Sequence, residues 1–585
     1  TASLSAEGSG LDFMNHDTKV SARAELKRCV VDSIDANGVC LAASYRDRRA
    51  SLLADCNNPL LRANLGLNAH MVTADSCDAH LVLDLSRLDL HALKMTAKPF
   101  AVGGTMRFDG YTNLADTHVL TGGVSDIHLY AADSVFHPKD INSDLLMRRD
   151  SLAAHISAGD LMLGFTSGDG MDSLLTKVGW FADELKHQTD SFRLDQALLK
   201  TFLPRVKASV TMGRQNPAAA VMRIMGYDTN GLRFNLNADP QIGLNGSGYV
   251  DALTTGSITL DTIDWHIYQD NEGVKMDARV CNGPKNKQVC FDARANAYVL
   301  PSGAGVNLKY TDDKGRCGVD VGTVVDILPG GIRAHLTPLH PILANRRFDV
   351  NEGNYVFMAP DGRVSADMDL VADDGTRLRV YSSQPDSGAR ATTLQDLTVS
   401  LYRLNVRELC SVMPYMPPLG GLMYGDVHLV QTADNMSVAL DSRVDELSYD
   451  LHPLGDVALN ATYLPMGDSC HYVDALVSRN GDDIIAMTGR YTDDGGDGVI
   501  DAQADVTHLP LAMLGGMMTD AVTMTLEGDV DGTLSVSGSG AKPMLNGLLA
   551  MDGVKVKSQA YNLALRVEDD TISIDNNRLE LGGIN

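Results

Sequence analysis

The sequence predicts a mostly β protein, a very long antiparallel β-meander curled into a twisted open trough (a β-groove) with one helical insertion. Apolar residues recur at every second position along most of the chain, which is typical of strands with one apolar and one polar face. Asp-Gly and Asn-Gly dipeptides, which favour tight hairpin turns, recur between these runs. Open sheets of more than about ten strands curl, split or close. We therefore expect the sheet to fold lengthwise around its apolar face.

Residues 1–167 form the first predicted β-groove segment. Alternating runs extend from Val20 to Leu93 and continue from Val102 to Tyr130. Asp109-Gly110 and Gly122-Gly123 are candidate turns within this part. The stretch from Ser157 to Phe165 is predicted as one further strand.

Residues 168–226 form the predicted helical insertion. Apolar residues recur three and four apart from Gly170 to Pro204, which indicates one amphipathic helix or two, with a break near residues 188–191. A sharper helix is predicted from Pro217 to Met225, because Asn216 can cap its start and Gly226 can adopt the left-handed conformation at its end. Two interpretations stay open: the helices cover an end or edge of the sheet, or they form a gate or plug in the trough.

Residues 227–585 form the second predicted β-groove segment. Strand alternation resumes at Leu232 and holds to the end, with Asp531-Gly532 and Asp552-Gly553 among the predicted hairpin turns. The clearest alternating runs supply the residues that we expect to line the groove. They are Ile258, Leu260, Ile263, Trp265, Ile267, Val274, Met276, Leu563, Leu565, Val567, Ile572 and Ile574.

Composition excludes several classes of function. Acidic residues outnumber basic ones 75 to 49, and the net charge of −26 disfavours both nucleic acid and electrostatic docking on anionic lipid. No GxSxG or HExxH motif occurs, and the nine cysteines lack the CxxC spacing of a zinc site, so we expect no enzyme, cofactor or metal. The cysteines are either reduced core residues or scattered disulfides, with Cys29–Cys40 and Cys281–Cys290 as the hairpin pairs that turns would allow.

One order of segments recurs along the chain and carries a family resemblance. It consists of a strand, a short apolar segment and a glycine-rich strand, and we call it the recurring phrase. Near the C-terminus, Leu509-Pro510-Leu511 precedes strands and the turn segment Gly540-Ala541-Lys542-Pro543-Met544-Leu545-Asn546-Gly547. The same phrase begins at Leu81 to Met95 and at Leu397 to Leu409, and glycine-rich strands follow at Val102 to Asp109 and Leu419 to Val430. This arrangement resembles the C-terminal region of the TamB/AsmA-like proteins of diderm bacteria.

The resemblance implies a periplasmic, bridge-like lipid transport protein. Such proteins carry phospholipids along a hydrophobic groove between inner and outer membranes, support outer-membrane biogenesis, and have an outer-membrane barrel of the BamA/TamA type as partner. An N-terminal inner-membrane anchor would precede Thr1. The alternative is a non-enzymatic assembly factor or chaperone for outer-membrane β-barrel proteins, because a trough with open edges can also receive strands.

Overall fold

The computed structural model describes residues 2–581 apart from 11, 27–29, 32–33, 36, 97–98, 132–133, 192–193, 271, 384–392, 417, 433–434, 450–451, 468, 494–495, 512–523, 559–562 and 568–569. The chain divides into two compact units, Thr1–Pro301 and Ser302–Asn585. All the described helices of the predicted insertion lie inside the first unit.

The first unit contains twenty-one described strands and three helices. The strands are β1 (Ala2–Ser9), β2 (Lys19–Leu26), β3 (Val30–Val31), β4 (Ile34–Asp35), β5 (Val39–Arg46), β6 (Arg49–Asn57), β7 (Leu61–Thr73), β8 (Ser76–Asp89), β9 (Phe100–Thr112), β10 (His118–Ala131), β11 (Ser134–Phe136), β12 (Ile141–Arg148), β13 (Ser151–Ala158), β14 (Leu161–Ser167), β15 (Val206–Met212), β16 (Tyr227–Asp228), β17 (Gly231–Asp239), β18 (Gly243–Thr255), β19 (Ile258–Gln269), β20 (Val274–Asn282) and β21 (Phe291–Leu300). The helices are α1 (Met171–Asp190), α2 (Gln196–Thr201) and α3 (Pro217–Met225).

The second unit contains nineteen described strands and one helix. The strands are β22 (Gly303–Asp312), β23 (Cys317–Leu328), β24 (Gly331–Leu343), β25 (Arg346–Val350), β26 (Tyr355–Met358), β27 (Val364–Ala372), β28 (Arg377–Ser382), β29 (Thr393–Asn405), β30 (Leu419–Thr432), β31 (Met436–Tyr449), β32 (His452–Pro465), β33 (Cys470–Arg479), β34 (Asp482–Thr492), β35 (Val499–Pro510), β36 (Met524–Ser539), β37 (Lys542–Ser558), β38 (Leu563–Val567), β39 (Asp570–Asp575) and β40 (Arg578–Leu581). The helix is α4 (Val406–Ser411).

Within each unit, successive strands pair antiparallel with the strand before and the strand after, so the predicted long meander is confirmed. Only β3 and β4 form a separate two-stranded sheet among the described strands. Short strands share a neighbour where a long strand is broken, as β38 and β39 do along β37.

The recurring sequence phrase corresponds to a recurring β-bulge. In β8, β29 and β35, two residues oppose one residue of the next strand just before Leu88, Leu404 and Leu509. The inserted pairs are Ser86–Arg87, Tyr402–Arg403 and Thr507–His508. Bulges bend a strand and increase its twist, so the phrase places a bend at the same point of three hairpins.

Several glycines predicted to form turns lie inside strands. Asp109-Gly110, Gly122-Gly123, Asp531-Gly532 and Asp552-Gly553 belong to β9, β10, β36 and β37. At Gly122, Gly123 and Gly532 the turn prediction was wrong because neighbouring backbone approaches too closely for a side chain: a Cβ on Gly123 would lie 1.9 Å from the carbonyl oxygen of Ile141. Gly110 and Gly553 lie within strands without such a contact. Glycine within a strand often marks a bulge or such a close approach of another backbone.

The helices agree well with the sequence pattern. Helix α1 ends at Asp190 and α2 begins at Gln196. Helix α3 has the predicted Asn216 cap and a left-handed Gly226 at φ 91°. One strand prediction nearby was wrong. Residues 157–165 contain a tight turn at Gly159 and Asp160, which separates β13 from β14.

Buried apolar residues are scattered along the described part of the chain, and three small clusters of them stand out. One in the second unit contains Phe348, Val350, Leu370 and Ala372. The other two lie in the first unit and are described with α3 below. Across the residues that the structure describes, no helix is long and apolar enough to cross a membrane.

Candidate functional site

An uninterrupted row of apolar residues crosses nine paired strands of the first unit, from β12 to β21. Directly opposite one another in register are Leu145, Ala154, Phe165, Ala208, Leu236, Gly246, Ile267, Met276 and Ala297. We call this set row 1. Because strands lie about 4.8 Å apart, row 1 is about 38 Å long.

The adjacent residues on the same nine strands form a polar row. They are Asp144, His155, Gly164, Ser209, Asn235, Ser247, His266, Asp277 and Asn296. Side chains of neighbouring residues in a strand point to opposite faces. The first unit therefore has an apolar face, which carries row 1, and a polar face, which carries this second set.

A second apolar row runs parallel to row 1 on the same face. It consists of Ile156, Leu163, Val210, Phe234, Gly248, Trp265, Ala278 and Ala295, and we call it row 2. The Trp265 ring lies against Phe234, with ring centroids 5.7 Å apart. Between them, a Cβ on Gly248 would lie 2.2 Å from Trp265 Nε1, so the indole lies flat across this glycine.

The second unit repeats the arrangement over twelve strands, from β27 to β39. Its row 3 consists of Met368, Val380, Val399, Val427, Leu440, Ala461, Ala475, Met487, Ala504, Leu534, Gly547 and Ile574. Residues one position along these strands include Thr398, His428, Thr462, Asp474 and Gln503. Both units therefore separate apolar from polar side chains across their sheets.

The apolar rows are sheltered but not packed into a solid core. Gly246 and Gly248 are the only fully buried residues of rows 1 to 3. All the others are half-buried or exposed, and Met276 and Met487 are 39% and 37% exposed. In a sandwich, a second sheet about 10 Å away would bury such side chains completely. These rows consequently keep apolar surface accessible along their whole length.

The predicted lining residues fall into two groups. Ile263, Trp265, Ile267, Val274 and Met276 lie on the apolar face of β19 and β20, and Ile267 is directly opposite Met276. Ile258 and Leu260 are half-buried at the start of β19, beyond a break in its alternation. At this break the Asp261 amide donates to the Asn282 side chain.

The other predicted residues belong to the second unit. Ile572 and Ile574 are half-buried on β39, and Ile574 ends row 3. Leu563, Leu565 and Val567 lie on β38, which pairs with the C-terminal end of β37. Their side chains lie outside the described residues. The structure therefore places the two predicted groups in different units.

Several lining residues could not be identified from alternation alone. Phe165, Val210, Phe234 and Leu236 share rows 1 and 2 with the predicted residues. Each stands in an alternating run, but only the cross-strand register shows that they lie in the same rows as Trp265 and Ile267. Alternation within one strand does not determine its register with a strand that is distant in the sequence.

The helical insertion α1–α2 borders this face at one strand end. Asp169, only 5% exposed, accepts hydrogen bonds from Lys177 Nζ at 2.8 Å and from the Arg205 amide at 2.9 Å. Burial raises the pKa of Asp169, but these hydrogen bonds outweigh it and lower the pKa below its ordinary value. The Gln196 side chain of α2 donates to the Val299 carbonyl, so the insertion reaches from β14 to the end of β21.

The polar face carries ion pairs and an open depression. Asp292 accepts hydrogen bonds from Arg294 Nε at 2.9 Å and Arg279 Nη2 at 2.6 Å, and these lower its pKa to about 2 against the opposing effect of burial. A depression of about 880 Å³ is lined by His155, Ser247 and His266 of the polar row together with residues of row 1, among them Phe165 and Leu236. Its lining therefore combines hydroxyl, amide and imidazole groups with apolar atoms.

Thiols and metal ligands add no chemistry to the apolar rows. All eight described cysteines are free, among them Cys281 and Cys290, while Cys29 lies outside the described residues. In the described part of the chain, no three histidine, cysteine, aspartate or glutamate side chains are grouped closely enough to hold a metal ion.

No family model, curated protein or solved structure matches this chain.

Proposed function

We propose that this chain is a lipid-conducting segment that carries phospholipid acyl chains along its apolar rows. The observation that supports the proposal is the continuity of the rows, nine strands long in the first unit and twelve in the second, with side chains that stay half-buried or exposed. Each methylene removed from water contributes about 0.8 kcal/mol. A face this uniform binds a chain by summing small contacts, and it does so equally well at many positions.

The dimensions also suit transport better than storage. The hydrocarbon core of a bilayer is about 30 Å thick and contains two layers of tails. Row 1, at about 38 Å, is longer than both layers together. A single tail therefore occupies only part of the row and can move along it without leaving apolar surroundings.

Together with the resemblance to TamB/AsmA-like proteins, these features favour a periplasmic, bridge-like transporter. In this proposal the full-length protein is anchored in the inner membrane, moves phospholipid toward the outer membrane and meets an outer-membrane barrel of the BamA/TamA type. No enzymatic step is required, because the apolar rows act by binding alone.

The two tryptophans of the chain provide a direct test. Trp265 belongs to row 2, whereas Trp180 is 55% exposed on α1. In the variant Trp180→Phe, fluorescence then reports only Trp265. We expect a phospholipid with a nitroxide in mid-acyl chain to quench this fluorescence saturably, because nitroxides quench only at close range.

The reciprocal variant Trp265→Phe is the matched control, since its remaining Trp180 lies off the apolar rows. Its fluorescence should respond more to a water-soluble quencher than to the labelled lipid. Equal lipid quenching in both variants, or none in either, contradicts the proposal. Mass spectrometry of the purified protein separates the alternative, because an assembly factor would co-purify with peptide and not with phospholipid.

A further inference from the structure

Helix α3 lies directly on the apolar face. Ala220, Val221 and Ile224 pack against Ile127 and Leu129 of β10. On the other side of the helix, Ala218 and Met222 pack against residues near the strand ends, which are Ala158, Leu161, Met212 and Leu232. The helix therefore covers apolar surface that belongs to the proposed lipid path.

The position of α3 is central and not terminal. The strands beneath it run from β9 to β17, with β1 to β8 on one side of the first unit and β18 to β21 on the other. Leu163, which belongs to row 2, is among the side chains packed against it. A tail that follows row 2 would thus meet the edge of this helix.

A compact polar latch holds the N-terminal end of α3. Asn216, only 2% exposed, accepts the Ala219 amide at 2.8 Å and donates to Asp160 Oδ1 at 2.6 Å. Asp160 also accepts the Gln215 amide at 2.9 Å. Gly159 permits this approach, because a Cβ there would lie 2.0 Å from the Gln215 carbonyl oxygen.

Helix α3 is short, and a few further contacts hold its ends: Arg223 Nη1 donates to the Arg214 carbonyl at 3.1 Å, and the Gly256 amide donates to the Gly226 carbonyl at 3.4 Å. It has nine residues, and isolated helices shorter than about 12 residues are marginal in water. At its C-terminal end the chain reverses through Gly226 at φ 91°, where a Cβ would contact nothing. The helix therefore depends on its latch, on these end contacts and on the apolar face beneath it.

We propose that α3 is a displaceable cover of the apolar face, which competes with an acyl chain for the surface around Leu161, Met212 and Leu232. This inference rests on the proposed function and adds its regulation: the latch sets how often the covered surface opens. Opening requires that Asp160 part from Asn216 and from the Gln215 amide, and that the apolar side chains of α3 leave the sheet as the helix turns about its two ends. The sheet beneath keeps its pairing throughout.

The variant Asn216→Ala tests the latch. Loss of an N-cap side chain shifts a helix equilibrium by about fivefold, so we expect amide hydrogen exchange in 217–225 to become about fivefold faster. Affinity for a 16-carbon lysophosphatidylcholine should increase by a similar factor, since less of the binding free energy is spent on opening. In the unaltered protein, added lipid should accelerate exchange in 217–225.

The matched control is Asn405→Ala, which removes the equivalent cap from α4, where Asn405 Oδ1 accepts the Glu408 amide. It should accelerate exchange in 406–411 and leave 217–225 unchanged. A second variant, Ala220→Asp, places a carboxylate on the buried side of α3, at a position only 5% exposed, and should force the helix off the face. Its lipid affinity should also rise.

Two results would overturn the inference while lipid transport stands: lipid quenches Trp265 but slows exchange in 217–225, or neither Asn216→Ala nor Ala220→Asp increases lipid affinity. Either would make α3 a permanent wall of the groove. If lipid fails to quench Trp265 in every variant, the proposed function fails and the cover has nothing to compete with.

Discussion

Replacing Ile267 by aspartate places a carboxylate in the middle of row 1, while replacing the adjacent His266 by aspartate places one on the polar face. The two residues are consecutive in β19, opposite Gly246 and Ser247 respectively. Ile267 is half-buried and His266 is exposed. Comparing the two variants therefore shows the effect of the sheet face that carries the carboxylate, because strand position and added charge are nearly the same in both.

The expected magnitude follows from the row. Strands lie about 4.8 Å apart, and a hydrated carboxylate at one strand keeps roughly three methylenes of a passing tail away from the apolar surface. At about 0.8 kcal/mol for each methylene, Ile267→Asp should weaken acyl binding by about 2.4 kcal/mol. This corresponds to roughly a 50-fold increase in Kd. His266→Asp should change Kd by less than about twofold, because its carboxylate faces away from the tail.

The assay is titration of nitroxide-labelled phospholipid against the fluorescence of Trp265 in a Trp180→Phe background. Circular dichroism and thermal melting identify loss of fold, since a half-buried isoleucine replaced by aspartate costs roughly 1–2 kcal/mol of stability. If both variants remain folded and bind lipid with equal affinity, the apolar face is not the lipid path and the reasoning is refuted.

Two further predictions concern stability. Gly123→Val should prevent the close pairing of β10 with Ile141, and should lower Tm by several degrees or abolish folding. Gly179→Ala in α1, where a Cβ meets nothing within 4 Å, should instead raise helix stability by about 1 kcal/mol. Tm shifts of the same sign and similar size in the two variants would contradict this prediction. The pKa of Asp292 is lowered to about 2, so its contribution to stability is complete above about pH 4 and is lost as pH falls toward 2. In the variant Asp292→Asn, the free energy of unfolding should fall by about 1 kcal/mol less between pH 4 and 2 than in the unaltered protein, as measured by urea unfolding. If the free energy of unfolding falls equally with pH in both proteins, the pairing of Asp292 with the two arginines is contradicted.

The fold class could be predicted because each strand carries its own evidence. Alternation within eight to fourteen residues decides which face is apolar, and the Asn216–Gly226 segment contains every signal that α3 needs. Local patterns also misled where tertiary contacts override them. Gly123 resembles a turn residue but is required by the approach of Ile141, and Gly159-Asp160 interrupts what alternation presents as one strand.

The site was only partly predictable because a row is a property of register. The sequence supplies Trp265 and Ile267, but their neighbours Phe234 and Leu236 lie thirty-one residues away in the chain and meet them only through pairing across β18. The helical insertion shows the same limit. Its amphipathic pattern predicts α1, yet Val178 and Leu185, two of the apolar residues that form this pattern, are exposed, so the pattern did not reveal which side is packed.

Side-chain size within row 1 connects the fold to movement of a tail. Large residues at Leu145, Phe165, Leu236 and Ile267 are separated by Ala154, Ala208 and Gly246, so each large side chain has a small neighbour on the next strand. Row 2 uses the same device where Trp265 lies over Gly248. Large side chains can then lean over small ones and fill the gaps, which leaves a wall without deep pockets. A deep pocket would hold a tail at one place, whereas an even wall gives similar binding free energy at successive strands and opposes movement only weakly. In the first unit the main obstacle on such a wall is α3, and the rate at which its Asp160 latch opens should therefore limit passage along row 2.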